Sequence, residues 1–268
     1  MFVDQSHRVV VSMFSQVQTI SKFTIIESMR NRLLWLLLFM VLIAFVLVEF
    51  VGDLAITEHK VTQISMLAVF LRLSAVLLVA LFVVSSSLRE LQDKTLEMIL
   101  AMSIKRSSYY LGKLLAYIQL AILTGLVFGL LLLAYAPFEQ VLIWSVSLVL
   151  ELVLVVALAL VMLFTFRQTP AALTGVFIVY LASRVIASLY LMSQHPIVSS
   201  DGIGQKFIDG FVGMMTWILP DLSRYTQTEW LVYSSADWSQ LLTILIQTVV
   251  YLGFLSAVAL FDFYRKNF

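Results

Sequence analysis

The chain has no cysteine. That excludes disulfides, thiolate metal sites and lipid anchors on Cys, and leaves the redox compartment open. Charge is scarce as well: 12% of the 268 residues are charged and 61% are hydrophobic. A soluble domain is roughly 45–50% apolar, so that class is excluded. No short apolar segment followed by small residues opens the chain. The first 32 residues are mostly polar and the first apolar run is of spanning length, so no cleavable signal peptide is expected. Also missing are G-x-x-x-x-G-K-[ST], H-E-x-x-H and G-x-S-x-G. The sequence therefore offers no phosphate-binding loop, zinc-protease pair or nucleophile elbow. Its Gly112-Lys113 is followed by two leucines, and Ser107 stands where a phosphate loop has its first glycine. No internal repeat is visible.

What the chain does have is long apolar runs. Six of them, near 33–51, 63–88, 109–135, 141–166, 170–192 and 241–262, reach the ~20 residues that a helix needs to cross a bilayer. They are continuous and rich in Leu, Val and Ile, so an all-α integral membrane bundle is expected, not an alternating β-barrel. A single transmembrane domain over 1–268 follows. It divides into a polar start (1–32), five spans (33–192), a long connection (193–240), and a sixth span with a tail (241–268).

Lys and Arg set the orientation. One side holds Arg8, Lys22, Arg30, Arg32, Arg89, Lys94, Lys105, Arg106, Lys113, Arg167, Arg265 and Lys266; the other holds only Lys60, Lys206 and Arg224. This bias puts both termini in the cytoplasm. The net charge of +1 points to no partner, and no nucleic acid is expected.

Before the first span, Met13, Val17, Ile20, Phe23, Ile26, Met29 and Leu33 recur at spacings of three and four. That predicts an amphipathic helix lying against membrane lipid. The links "APFEQ" and "RQTP" are short enough to make the middle spans antiparallel neighbours. The 193–240 connection differs. "KFIDGFVGMMTWILP", which includes Phe207, Phe211, Trp217 and Pro220, is too short to cross and too apolar for a solvated loop. It predicts a re-entrant or interfacial element on the outer face, followed by Trp230, Tyr233 and Trp238 at headgroup level.

Between spans two and three lies "LRELQDKTLEMILAMSIKRSSYYLGK", residues 88–113. Leu91, Thr95, Met98 and Met102 form one helical stripe with Leu96 and Ile99 beside it, while Glu90, Asp93, Lys94 and Glu97 face elsewhere. Pattern alone allows a solvated connector as readily as a docking helix.

The stretch resembles one in the permeases of type-2 ATP-binding-cassette (ABC) exporters, which carry E-x-x-x-(G/K)-T-x-E-x-L-L-x-x-P-I-x-R-x-x-Y-x-x-G-K. Here Glu90, Lys94, Thr95, Glu97, Leu100, Ile104, Arg106, Tyr109 or Tyr110, Gly112 and Lys113 follow in that order, with Ser103 in place of the proline. "ILPDLSRY" at 218–225 is similar to a Leu-Pro-Asn/Asp-Leu stretch of the same family. The resemblance implies a coupling helix that docks on a separate ATPase subunit, with Glu90, Leu91, Lys94, Thr95, Glu97, Met98, Met102 and Arg106 near the contact. It further implies a homodimer or heterodimer of permeases in a bacterial inner membrane, in contact with lipid. ATP and Mg would sit on the partner, and this chain, not itself an enzyme, would bind no cofactor. The expected activity is export of a hydrophobic or amphiphilic substrate; service to the maturation of an extracytoplasmic metalloenzyme or surface machinery is the alternative within that class. An ion-driven secondary transporter is the alternative outside it, but no inverted repeat or pair of matching broken spans supports one.

Three ionisable residues fall deep in the spans. By helical rise, Arg72 lies about 24 Å from Leu88, Arg184 about 21 Å from Pro170, and Glu151 near the middle of span four. Each costs roughly 2.5–3.5 kcal/mol to insert and must face the bundle or a wet cavity. Two readings stand: mutual neutralisation, or a site for an anionic or zwitterionic headgroup. Glu49 and Asp53 are further candidate partners. His59 and His195 are too isolated to make a metal site.

Overall fold

The computed structural model describes residues 16–27, 33–54, 59–93, 106–194 and 203–265. Every regular element among them is helical. They are α1 (16–27), α2 (Leu33–Leu54), α3 (His59–Gln92), α4 (Arg106–Leu132), α5 (Phe138–Phe166), α6 (Thr169–Gln194), α7 (Ile203–Ile218), a 3₁₀ turn (Leu222–Arg224), α8 (Thr228–Tyr233) and α9 (Trp238–Arg265). Six of these helices, α2 to α6 and α9, are long and apolar enough to cross a membrane. They coincide with the six expected spans and extend beyond most of their expected ends.

α5 is the axis of the bundle. In its most apolar window 78% of residues are buried, against 22% in α2 and 17% in α9. A helix hydrophobic all round suits that central place, and "LVLVVALALVMLF" supplies one. Its link to α6 needs only Arg167 and Gln168. Arg167 takes the left-handed conformation (φ 53°) and its N–H closes onto the Leu163 carbonyl. α4 approaches α5 closely at Gly125 and Gly129, where an added Cβ would strike Val149 and Ser145 respectively. Two small residues four apart allow such backbone proximity between apolar helices.

Polar contacts fix which helix ends lie together. At one end His59 Nδ1 contacts the Gly52 carbonyl at 2.7 Å and Tyr135 Oη donates to Glu49 at 3.4 Å. At the other, Arg106 Nη1 donates to the Phe263 carbonyl at 2.9 Å, which caps the last turn of α9. Tyr109, Phe164 and Phe263 stack there and join α4, α5 and α9.

The described part of the amphipathic stripe near the N-terminus is divided, with Met13 and Met29 outside the described residues. Val17 packs inward with Ser21 and Thr24, whereas Phe23 and Ile26 stay exposed. The close approach is at Gly112 of α4, where a Cβ would lie 2.8 Å from Ile20 Cβ and 3.2 Å from the Val17 carbonyl. α1 is thus held on the bundle by its small face and keeps two large apolar side chains free.

Candidate functional site

The 203–233 segment forms no seventh span. α7 leads into a turn at 219–227 that contains the 3₁₀ segment but no α-helix, α8 leads away from it, and the turn lies against residues from the interior of α3, α5, α6 and α9. Non-helical backbone in an apolar bundle must find partners for its polar groups. Here side chains supply them. Tyr251 Oη donates to the Leu219 carbonyl at 3.0 Å and Gln247 Nε2 to that of Asp221 at 3.2 Å. Arg184 Nη1 reaches the carbonyls of Leu222 at 2.5 Å and Tyr225 at 3.0 Å. Arg72 Nη1 takes the Thr226 carbonyl at 3.3 Å.

Glu151 anchors the same turn from α5. It is 0% exposed and accepts from Tyr180 Oη at 2.8 Å, Thr226 Oγ1 at 2.7 Å and Arg184 Nη1 at 3.4 Å. Thr226 N–H donates to Ser147 Oγ at 3.0 Å. Every polar group of Thr226 is therefore engaged, and its φ of 45° is a strained value for a β-branched residue. The surroundings over-determine that conformation. On the α9 side, Tyr225 Oη pairs with Thr248 Oγ1 at 2.9 Å. Asp221 is occupied locally by Arg224 Nε at 2.8 Å and by Ser223.

Of the expected intramembrane residues, Arg72, Glu151 and Arg184 all meet at this turn. Arg184 pairs with Glu151. Arg72 holds backbone instead, and its Nε is buried without a hydrogen-bond partner. Glu49 accepts from Tyr135, and the side chain of Asp53 lies outside the described residues. Thr226, Ser147, Gln247 and Tyr251 were not singled out from sequence. Hydroxyls and amides scattered along an apolar chain carry no spacing signal, and their partners here lie far along it.

Beside the turn lies an apolar cavity of about 200 Å³, lined among others by Leu154, Leu158, Tyr180, Ser183, Leu222 and Phe254. Ser183 Oγ is buried there without a partner. Pro220 also lines this space. Phe211 and Trp217 are exposed, Trp217 at 89%, and the side chain of Phe207 lies outside the described residues.

The second polar cluster ties the base of the 88–113 stretch. Glu90, in the last turn of α3, forms an ion pair with Lys113 of α4 and accepts from Tyr109 Oη at 2.7 Å. Glu90 therefore turns inward, with its side chain 14% exposed. Leu91 is half-buried against the core, and Arg106 caps α9. Lys94, Thr95, Glu97, Met98 and Met102 lie outside the described residues. Glu27 of α1 faces this cluster; burial and then the Glu90 charge push its carboxyl above the usual range, against a smaller opposing pull from Lys113.

Among the described residues no three His, Cys, Asp or Glu side chains group closely enough to hold a metal ion. His59 sits on the Gly52 carbonyl, and His195 lies outside the described residues. No protein-family model and no curated protein matches the chain.

Proposed function

We propose that the chain is the permease subunit of an ATP-driven exporter of the type-2 ABC class. It works as a dimer in a bacterial inner membrane, with both termini cytoplasmic. The observation that carries the reading is the tied base of the 88–113 stretch. Glu90, Lys113 and Tyr109 join the ends of α3 and α4, Arg106 binds the end of α9, and Glu27 of α1 abuts the same cluster. A push on residues 94–105 would reach four helices together, which suits a segment that receives work from a nucleotide-driven partner. Residues 88–113 then act as the coupling segment, α1 as an interfacial helix, and 203–233 as a re-entrant element on the outer face. The six spans and the resemblance of residues 90–113 support this reading; ATP and Mg belong to the partner, and the cargo is hydrophobic or amphiphilic.

The test is purification of the tagged chain from its native membrane. It should bring down a phosphate-loop ATPase whose hydrolysis it stimulates. Glu97→Lys should dissociate that subunit or uncouple it, while the melting of the permease is unchanged. An intact, stimulated complex in the Glu97→Lys variant would sink the coupling role.

A further inference from the structure

The clamp on the 219–227 turn has an imbalance of charge. Two guanidiniums, Arg72 and Arg184, face the single carboxylate of Glu151, and the neighbouring Asp221 is occupied by Arg224. Among the described residues the second positive charge has no carboxylate of its own and rests on carbonyl dipoles. A carboxylate or phosphate makes hydrogen bonds to arginine roughly twice as strong as a neutral acceptor does. The turn also holds Thr226 at φ 45°, so its release relieves backbone strain.

Leu222 links this imbalance to the apolar cavity. Its carbonyl is bonded to Arg184 and its body lines the cavity. If the turn withdraws, the cavity walls of Leu154, Leu158 and Phe254 and the two arginines become one continuous surface. Such a surface is apolar along its length, cationic at one end, and carries the unpartnered Ser183 hydroxyl in its wall. We propose that the turn is a ligand-operated latch. An amphiphile with one anionic group, carboxylate or phosphate, displaces it by binding Arg72 and Arg184 while its chain fills the cavity. The inference rests on the exporter reading for its purpose and narrows the cargo to anionic amphiphiles. Its test needs no ATPase, so a chain that binds such a ligand but recruits no ATPase would overturn the exporter reading alone.

Because the chain lacks cysteine, Leu222→Cys places one thiol in the closed latch. The variant is reconstituted in phosphatidylcholine nanodiscs, and its alkylation rate is measured with dodecyl phosphate, dodecyl maltoside or inorganic phosphate. Dodecyl phosphate should accelerate alkylation about tenfold, as expected if it raises an open state from about 1% to about 10%. Dodecyl maltoside, with the same chain and no charge, and inorganic phosphate, with no chain, should leave the rate unchanged. Adding Arg72→Gln or Arg184→Gln should abolish the acceleration. Arg72→Gln removes a single carbonyl contact, so it carries the test should Arg184→Gln fail to fold. Acceleration by the neutral surfactant or by inorganic phosphate, acceleration that survives Arg72→Gln, or none with dodecyl phosphate would each overturn the proposal.

Discussion

Glu151→Gln isolates the charge at the clamp from its shape. The amide matches the carboxylate in size and keeps one oxygen for Tyr180 or Thr226, so no cavity opens. What disappears is the negative charge that, among the described residues, faces Arg72 and Arg184. Breaking a buried pair typically costs about 3–5 kcal/mol. The lower end applies here, because the Arg184 contact is long at 3.4 Å and Arg184 keeps its two carbonyls. About 3 kcal/mol in a chain of this size lowers the melting temperature by about 6–12 °C. The buried Trp144 and Trp230 make intrinsic fluorescence in detergent a suitable monitor. Arg184→Gln should cost as much or more, since it also bares the Leu222 and Tyr225 carbonyls. The double variant should be less destabilised than the sum by about 0.5–3 kcal/mol, the usual coupling of contacting groups. A Glu151→Gln protein melting within 2 °C of the parent, a margin about the size of a 1 kcal/mol effect or less, or strictly additive effects, would refute the electrostatic account.

Two predictions concern α1. Gly112→Val should push α1 off the bundle, because even its Cβ would meet Ile20 at 2.8 Å; a spin label at the exposed Gln18→Cys should become more mobile, and an unchanged spectrum would remove the close approach. The second is a pH effect: with the Glu27 carboxyl raised by burial and by Glu90, docking of α1 is strongest at acid pH and weakens as pH rises past its ordinary value of 4.5, toward the raised one. The same label should loosen over that interval and lose this dependence in Glu27→Gln, and a dependence that survives the substitution would assign the titration to another group.

The spans were legible because a bilayer demands some twenty apolar residues in a row, and such a run hardly occurs otherwise. Their ends were less so: α3 begins at His59 instead of 63, since helix geometry continues past the apolar run into polar residues. Helical rise brings Arg184 nearer than Arg72 to the depth of Glu151, and Arg184 and Glu151 are paired. The same reckoning gives Arg72 no partner, and in the closed turn it holds the Thr226 carbonyl. Depth gives height along a helix but not what backbone lies opposite. The stripe before the first span predicts a lipid contact alone; of its described residues Val17 and Ile20 meet α4 because Gly112 offers no side chain, and hydrophobic periodicity does not register such a gap.

The sources of the turn's hydrogen bonds also impose an order on its assembly during synthesis. Arg72, Ser147, Glu151 and Arg184 precede the turn in the chain, so they are in the membrane before Leu219 emerges. Gln247, Thr248 and Tyr251 follow it on α9. The arginine side of the turn can therefore close before α9 packs against it, with the Leu219 and Asp221 carbonyls left bare. A chain stopped before α9 lacks the side-chain donors for these two carbonyls. Completion of the turn is thus recorded in two hydrogen bonds that only α9 can supply among the described residues.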